Sequence, residues 1–338
     1  EMNSLQISVI IPVFNAASFV EQAVESALAQ PETAEVLLIE DGSSDDSLAV
    51  CQALAENYKK VRLLRHPGGE NRGAGASRNL GMKRAKFDYI AFLDADDFYL
   101  PGRFEVAKEI FEADPECDGV YEAIGKVYDD EEARERWIES SMAVRRMTTV
   151  ERIIPPDELF KVFVLGGAGY FSIDGLVIKK SILTKTGFMN IELKLHQDSD
   201  FIYRLAAVSK LLPGQLKKPV TIRRIHLNNR ISTKRSPKKV YEDRMKMWKA
   251  TYQWLHQSKL RDKEHIVLSQ MVKYCAKNKP LPLSWMIKFP KEFQYLIRLS
   301  LLPFDYPMVV ITSCYWKKIL SIKIWPVVKR NIRKLINT

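Results

Sequence analysis

The chain has 338 residues, of which 46% are hydrophobic and 28% are charged, and it contains 15 Gly and 16 Pro. This composition excludes a collagen, a disordered chain and a small disulfide-stapled protein. At roughly 150 residues per domain, the length fits one large domain or two modest ones.

The net charge of +11 is unevenly distributed along the chain. Residues 211–338 contain 28 Lys and Arg against 6 Asp and Glu, whereas residues 1–210 contain 24 against 35. An acidic first part is thus joined to a strongly basic second part. This asymmetry predicts a basic surface that meets an anionic partner.

The cysteines and the N-terminus carry little functional signal. Cys51, Cys117, Cys275 and Cys314 are far apart and form no Cys-x-x-Cys motif, so we expect neither a zinc site nor a disulfide framework. Residues 1–6 are expected to be a tag remnant or a disordered N-terminus, not a signal peptide. No segment has the ~20 apolar residues of a membrane-spanning helix. We expect a reduced, cytoplasmic protein.

Short apolar segments alternate with helical patterns in the first hundred residues. This order predicts a parallel sheet that helices cover on both faces. The predicted strands are residues 7–13, 36–40, 61–65 and 89–93, and the predicted helices are residues 19–28, a segment capped by Ser44 or Asp45 that runs to about Tyr58, and residues 76–85.

The pattern changes further along the chain. Residues 129–160 are charged and predict a helical insertion, after which a helix is expected near 199–209 and a strand at 219–226. From about Ser236 the sequence has long helical patterns rich in Lys, Trp and Tyr. We therefore expect a domain boundary at 230–236.

Three carboxylates, Asp94, Asp96 and Asp97, follow the fourth predicted strand within four residues. They repel one another unless a cation or hydrogen-bond donors neutralise them. Ligands of parallel sheets bind outside the carboxyl ends of the strands, and hard oxygen ligands there suit Mg²⁺ or Mn²⁺. The alternative is a plain helix cap formed by Asp97.

Seven motifs follow one another along the chain: IPVFN (11–15), IEDGSSDDS (39–47), SRNLG (77–81), FLDADD (92–97), IDGLVIKKSILTKTGFMN (173–190), HQDSDFIYRL (196–205) and RRIHLNNRIS (223–232). In this order they resemble glycosyltransferase family 2. The resemblance covers about residues 7–232 and implies a GT-A fold, in which helices flank a mostly parallel central sheet. It also implies inverting sugar transfer from a nucleotide-diphosphate donor.

The resemblance assigns four residues to nucleotide binding. Pro12 and Phe14 would line the base pocket, Asp41 would accept a hydrogen bond from a uracil imide, and Arg78 would reach the nucleotide. Each has a structural alternative: Phe14 in the core, Asp41 in an Asx-turn with the residues that follow it, and Arg78 packed on the sheet or solvated.

The resemblance also assigns the metal site. Asp96 would bind Mn²⁺ or Mg²⁺, Asp94 would bind the ribose or the metal, and Ala95 between them belongs to the nucleotide-sugar site. His226 would approach the metal or the diphosphate, although a histidine after a strand is often only structural. Three nearby arginines could neutralise phosphate, although exposed arginines are usually solvated; they are Arg223, Arg224 and Arg230.

The catalytic base implied by the resemblance is Asp198, which would take the proton of the acceptor hydroxyl. Gln197 stands where the family usually has Glu, so one negative charge near the base is missing. The alternative is that Asp198 or Ser199 only caps the following helix. Asp200 is the second candidate for the base.

Other classes fit the sequence less well. A dinucleotide-binding fingerprint after the first strand and a phosphate-binding P-loop are both absent. The nearest enzymatic rival is a sugar nucleotidyltransferase, which normally carries a Gly-rich, Lys-containing loop after the first strand. A non-catalytic protein that binds an anionic polymer would explain the basic end but not the clustered acids. Because Arg136-Trp137 precedes Asp198, the Gln-x-x-Arg-Trp motif of processive polymerases is missing, and we expect single-sugar transfer.

The predicted organisation is a catalytic domain at 7–232 and a basic, amphipathic helical region at 233–338. Residues 306–338 contain seven Lys and Arg and no acid, interspersed with aromatic and aliphatic residues. This pattern favours peripheral binding to an anionic membrane at its inner face. The alternatives are packing on the catalytic domain, a second subunit in a homo-oligomer, or an anionic acceptor. We expect a nucleotide-sugar donor, a glycan or lipid-linked acceptor and no nucleic acid.

Overall fold

The computed structural model describes residues 5–139, 147–227, 229 and 235–280. The chain divides into two compact units, Glu1–Lys234 and Arg235–Thr338. Arg230 and the basic segment 306–338 lie outside the described residues, and so do the membrane, subunit and acceptor contacts predicted for that segment.

The first unit is built on a seven-stranded sheet with the order β3-β2-β1-β4-β8-β6-β9, in which only β8 runs antiparallel to its neighbours. The predicted mostly parallel α/β sheet is therefore confirmed. The described strands are β1 (Ile7–Val13), β2 (Thr33–Glu40), β3 (Val61–Arg65), β4 (Tyr89–Phe92), β5 (Phe98–Tyr99), β6 (Gly119–Tyr121), β7 (Ile124–Tyr128), β8 (Leu176–Lys179), β9 (Leu211–Pro213) and β10 (Thr221–Ile225).

Strand β2 begins three residues before its predicted start, because a buried acid extends it. The carboxylate of Glu35 accepts hydrogen bonds from the Ser8 hydroxyl at 2.8 Å and from Arg62 at 2.7 Å. A buried charge that is paired in this way can lie inside a strand. The apolar run alone did not indicate this pairing, because both partners come from neighbouring strands.

Helices cover the sheet and leave its carboxyl edge open to the connecting loops. On α1, Val20, Ala23, Val24 and Ala27 form the buried stripe. The described helices are α1 (Val20–Leu28), α2 (Ser47–Asn57), α3 (Ala74–Arg84), α4 (Glu105–Ala113), α5 (Glu131–Glu139), α6 (Pro156–Leu165), α7 (Leu183–Thr186), α8 (Gln197–Val208), α9 (Pro237–Gln257) and α10 (Arg261–Asn278).

Helix α3 packs against the sheet through a glycine. A Cβ atom on Gly81 would lie 2.5 Å from Cγ2 of Ile10, so only a residue without a side chain permits this approach. Two residues earlier, Asn79 exchanges two hydrogen bonds of 2.8 Å with the backbone of Met189. The Arg-Asn-x-Gly motif thus fixes α3 between the sheet and the segment before α8.

A second, three-stranded sheet with the order β5-β10-β7 begins directly after Asp94, Asp96 and Asp97, which are called the acidic turn below. Strand β5 starts one residue after Asp97 and pairs antiparallel with β10. Since β10 ends at Ile225, this pairing carries His226 and Asn229 back to the carboxylates that precede β5.

The second unit consists, within the described residues, of the helices α9 and α10, as the long helical patterns after Ser236 predict. The side chains of Met245, Trp248, Val267 and Met271 are buried. None of the helices among the described residues is long and apolar enough to span a bilayer.

Candidate active site

The loops that follow β1 and β2 are joined by side-chain hydrogen bonds. The backbone N–H groups of residues 15–17 donate to Ser43, Ser47 and Asp45 at 3.1, 2.8 and 3.1 Å. The small polar residues of DGSSDDS therefore hold the loop that contains IPVFN. Phe14, at the end of β1, is 51% exposed, so it lies outside the core and is available to a ligand.

A proline is tolerated at position 12 because of how β1 pairs with β4. The carbonyl of Ile10 accepts from the N–H of Leu93, so alternate residues of β1 direct their backbone toward β4. The β1–β4 ladder stops at the pair Ile10 and Phe92, so the missing N–H of Pro12 faces a side without a partner strand. Pro12 is partly exposed beside Phe14.

Asp41 anchors the loop after β3. Its two carboxylate oxygens accept hydrogen bonds from the backbone N–H groups of Arg72 and Gly73, both at 2.8 Å. Gly42 has φ = 71°, and a Cβ atom there would lie 2.7 Å from the backbone nitrogen of Asn71. The alternative role of Asp41 in an Asx-turn does not match these contacts, because both oxygens bind residues about thirty positions away.

The carboxylates of Asp94, Asp96 and Asp97 come together at the carboxyl end of β4. One oxygen of each lies within 4.8 Å of those of the other two. The nearly buried guanidinium of Arg78 forms an ion pair with Asp94. Burial lowers the pKa of Arg78, but the negative charges of Asp94, Asp174 and Asp198 outweigh this and raise it. Arg78 thus stays charged inside the acidic turn.

Asp96 is held by two side chains from beyond β10. Nε2 of His226 lies 3.1 Å from an oxygen of Asp96, and Asn229 donates to the same oxygen at 3.0 Å. The ring of Phe19 lies 4.8 Å from that of His226, centroid to centroid. His226 thus lies at the carboxylate of Asp96, and its approach to a metal or a diphosphate stays a prediction.

A fourth carboxylate, that of Asp174, lies buried behind the acidic turn. Burial, followed by the charge of Asp94, raises its pKa to about 7, and Arg223 and Arg78 oppose this rise. Burial and the charges of Asp174 and Asp96 likewise raise the pKa of Asp97. The sequence analysis assigned no role to Asp174, and its only signal was a polar residue just before a buried strand.

The two described arginines predicted to neutralise phosphate are already paired. Arg223 lies 3.5 Å from Asp174 and 3.9 Å from Asp97, both buried. The guanidinium of Arg224 donates to Asp129 at 2.9 Å, while its backbone N–H donates to Asp97 at 2.9 Å. Both guanidinium groups are thus engaged by acids from other strands and turns, and their contact with a phosphate stays a prediction.

Helix α8 carries both candidates for the base, but only one of them is exposed. It begins at Gln197, two residues before its predicted start, and Asp198 lies exposed in its first turn. Asp200 is buried and forms a two-point ion pair with Arg204 at 2.9 Å. Asp200 is therefore unsuited to meet a substrate, and the second candidate was wrong. Gln197 is also buried, and a Cβ atom on Gly75 would lie 2.8 Å from its Cδ.

The site's donor set fits a divalent cation. Among the described residues, Asp94, Asp96 and Asp97 form the group of acidic, His or Cys side chains close enough to share an ion. Hard carboxylate oxygens suit Mn²⁺ or Mg²⁺. Phe14, exposed at the end of β1, and Asp198, exposed in the first turn of α8, are further side chains that a ligand could contact. Together these features make this edge of the α/β sheet a candidate ligand site.

Comparison with known proteins points to one family. Residues 8–171, just under half of the chain, match Glycosyl transferase family 2. The match extends over β1 to β7, including Phe14, Asp41, Arg78 and the acidic turn. Asp198 and His226 lie beyond it.

Curated relatives match shorter stretches. The succinoglycan biosynthesis protein ExoU of Rhizobium meliloti is 44% identical over 97 residues, which is 29% of this chain and 28% of the relative. An uncharacterized glycosyltransferase of Haemophilus influenzae is 40% identical over 105 residues, which is 31% of this chain and 41% of the relative. The matched stretches span less than half the length of these relatives.

Solved structures share the fold. TarS residues 1–349 of S. aureus, in complex with UDP-GlcNAc, superimpose with a TM-score of 0.62 at 15% identity, covering 97% of this chain and 92% of that chain. The fold of the chain is thus the GT-A fold that the sequence predicted.

The two backbone contacts of Asp41 lead to a stability prediction. In Asp41→Asn the amide NH₂ would face an N–H donor, so one hydrogen bond is lost and a buried donor is left unpaired. We expect the free energy of unfolding, measured by urea titration, to fall by about 1–3 kcal/mol. Asp46→Asn is the matched control, since Asp46 is exposed and its side chain makes no cap hydrogen bond to α2. An equal effect of both substitutions would contradict the anchoring role.

Proposed function

We propose that this chain is an inverting glycosyltransferase that moves a single sugar from a nucleotide-diphosphate sugar to a hydroxyl group. The observation that carries the proposal is the acidic turn: Asp94, Asp96 and Asp97 meet at the carboxyl edge of the sheet, where Arg78 and His226 contact them. The family 2 match over this turn supports it.

The nucleotide would lie on the loops after β1, β2 and β3. Phe14, half exposed, offers a face for stacking on the base, and Pro12 lies beside it. A carboxylate oxygen accepts more than one hydrogen bond, so Asp41 can receive a uracil imide while it holds the backbone of residues 72–73. Arg78, paired with Asp94, would place its charge at the ribose and diphosphate. These contacts suit a UDP-linked donor.

Asp96 would hold Mn²⁺ or Mg²⁺, with Asp94 beside it and Ala95 between them. A divalent cation at a diphosphate stabilises the charge that develops on the departing nucleotide. His226 and Asn229 contact the same oxygen of Asp96. His226 would therefore lie beside the bound cation and close to the diphosphate.

Asp198 would act as the base. Direct displacement at the anomeric carbon inverts its configuration and requires that the acceptor hydroxyl lose a proton. Asp198 is the exposed carboxylate in the first turn of α8, whereas Asp200 is buried in an ion pair with Arg204. Ser199 N–H donates to Asp198 at 2.8 Å, which holds the carboxylate at the helix end.

The class of sugar and acceptor is proposed from the relatives. The solved TarS complex contains UDP-GlcNAc, which favours a hexosyl or N-acetylhexosaminyl donor. Relatives include a succinoglycan biosynthesis protein and the chondroitin synthase of Escherichia coli, which favours a glycan or lipid-linked acceptor in cell-surface polysaccharide synthesis. The missing Gln-x-x-Arg-Trp motif favours transfer of one sugar per acceptor.

The most direct test is a panel of nucleotide sugars, scored by released nucleotide with and without Mn²⁺. We expect UDP release from one UDP-hexose or UDP-N-acetylhexosamine, increased by Mn²⁺, and loss of the Mn²⁺ effect in Asp96→Asn. Asp88→Asn, an exposed acid at the opposite end of β4, is the control. Release of pyrophosphate instead of UDP would identify a nucleotidyltransferase, and absence of both turnover and UDP binding would contradict the proposal.

The role of Asp198 predicts a separation of binding from chemistry. Asp198→Asn should lower kcat by about 10²–10⁴-fold, because the amide cannot take a proton, and should leave UDP affinity unchanged. Glu192→Gln, which changes an exposed acid just before α8, should keep kcat within about twofold of the unchanged protein. An active Asp198→Asn would remove Asp198 from the mechanism.

The basic segment 306–338 is proposed, from sequence alone, to bind the inner face of an anionic membrane, with a second copy of the chain as the alternative partner. Co-sedimentation with phosphatidylglycerol vesicles should capture the full chain at low salt and much less at 0.5 M salt, since screening shortens the reach of charges. Deletion of residues 306–338 should abolish capture. Absence of capture at low salt would contradict membrane binding, and a dimer that depends on the segment would support the alternative.

A further inference from the structure

Asp174 is placed behind the acidic turn by the sheet itself. Strands β4 and β8 are antiparallel, with Tyr89 opposite Lys179 and Ala91 opposite Val177. The same register, continued past both strands, puts Asp94 opposite Asp174. One oxygen of Asp174 accepts the backbone N–H of Asp94 at 3.1 Å. Asp174 therefore contacts the backbone of the turn and not the open cleft.

The backbone of Asp174 is fixed from two further directions. Its carbonyl oxygen accepts from the guanidinium of Arg103 at 3.2 Å and from the hydroxyl of Thr221 at 3.0 Å. Arg103 is itself fully buried and paired with Glu122 at 2.6 Å. Asp174 is thus held in place independently of any ligand.

Arg223 joins Asp174 to the acidic turn. Its Nη2 donates to Ser172 at 2.8 Å and lies 3.5 Å from Asp174, while its Nε lies 3.9 Å from Asp97. Ser172 also donates to Asp174 at 3.0 Å. Because both acids are buried, removing Arg223 would leave two carboxylates without their shared counter-ion.

A charge count shows what this pair does to the site. The four carboxylates are those of Asp94, Asp96, Asp97 and Asp174, and the two guanidinium groups among them are those of Arg78 and Arg223. When all four carboxylates are ionised, an excess of two negative charges remains, which one divalent cation would balance. Neutralising Asp174 would halve the excess without touching any oxygen that faces the cleft.

We propose that Asp174 and Arg223 are a positioning pair that sets the affinity of the acidic turn for its divalent cation, Asp174 by holding the Asp94 backbone and both residues by balancing charge. The inference rests on the proposed function, because it concerns the cation that Asp96 would bind. Neither residue touches the substrate in this account; both act through Asp94 and Asp97.

The test is a double-substitution cycle on the full chain, read as Mn²⁺ affinity from the electron paramagnetic resonance of free Mn²⁺ at pH 8, with and without UDP. Asp174→Asn keeps an oxygen for the Asp94 N–H but removes one charge, so Mn²⁺ should bind about tenfold more weakly. Adding Arg223→Gln removes one positive charge, which restores the excess of two negative charges when Asp94, Asp96 and Asp97 are ionised. The double variant should therefore return to within about threefold of the unchanged protein.

The outcome that would overturn the inference is a double variant that binds Mn²⁺ no better than Asp174→Asn alone, because damage to packing accumulates whereas charge imbalance cancels. Two controls make the same charge changes at ion pairs elsewhere: Asp114→Asn beside Lys210, and Arg62→Gln beside Glu35. Each should change Mn²⁺ affinity less than twofold.

A conservative variant covers the case in which Asp174→Asn does not fold. Arg223→Lys keeps the positive charge between the acids, so its Mn²⁺ affinity should stay within about threefold of the unchanged protein. A folded Arg223→Lys with a tenfold or greater loss would contradict charge balance. If the protein without substitutions binds neither Mn²⁺ nor UDP, the proposed function itself is contradicted.

Discussion

Mutual repulsion among the carboxylates at the end of β4 is the constraint on which the site's architecture depends. Three acids of one turn and buried Asp174 lie close together, and burial raises the pKa of Asp97 and Asp174. Such a cluster is tolerable only if cations and donors surround it. Arg78 from α3, Arg223 from β10, and His226 with Asn229 after β10 supply them.

The same constraint explains why distant segments of the chain meet at the acidic turn. The side chains that neutralise the turn come from elements far apart in sequence, and each element reaches the turn by a different contact. Gly81 lets α3 approach β1, so that Arg78 meets Asp94. The pairing of β10 with β5 brings Arg223 and His226 to the acids. The arrangement of charges at this edge thus results from how helices and strands pack, and not from the acidic turn alone.

Nucleotide recognition and structural anchoring share residues at this edge. Asp41, which the base would contact, is also what fixes the loop after β3 through two backbone N–H groups. Ser43, Asp45 and Ser47 do the same for the loop that carries Phe14. Because the loops are held by the protein's own hydrogen bonds, a ligand would meet a largely preformed surface, which lowers the entropy cost of binding.

The sequence predicted what is local and missed what depends on distant pairing. The first four strands, the acidic turn and the helix that bears Asp198 follow from apolar runs and motifs. Asp174 and Asn229 were missed, because their roles appear only when β8 lies beside β4 and β10 beside β5. Asp200 was misjudged for the same reason: its ion pair with Arg204 depends on burial that spacing does not indicate.

The central claim is that the acidic turn binds a divalent cation and the diphosphate of a nucleotide. A crystal structure of the chain grown with UDP and Mn²⁺, with anomalous diffraction data that locate manganese, tests it most directly. The account predicts one manganese peak within about 2.5 Å of an Asp96 oxygen and of the diphosphate, with the base stacked on Phe14. Manganese bound elsewhere, or UDP bound away from Phe14 and Asp96, would contradict it.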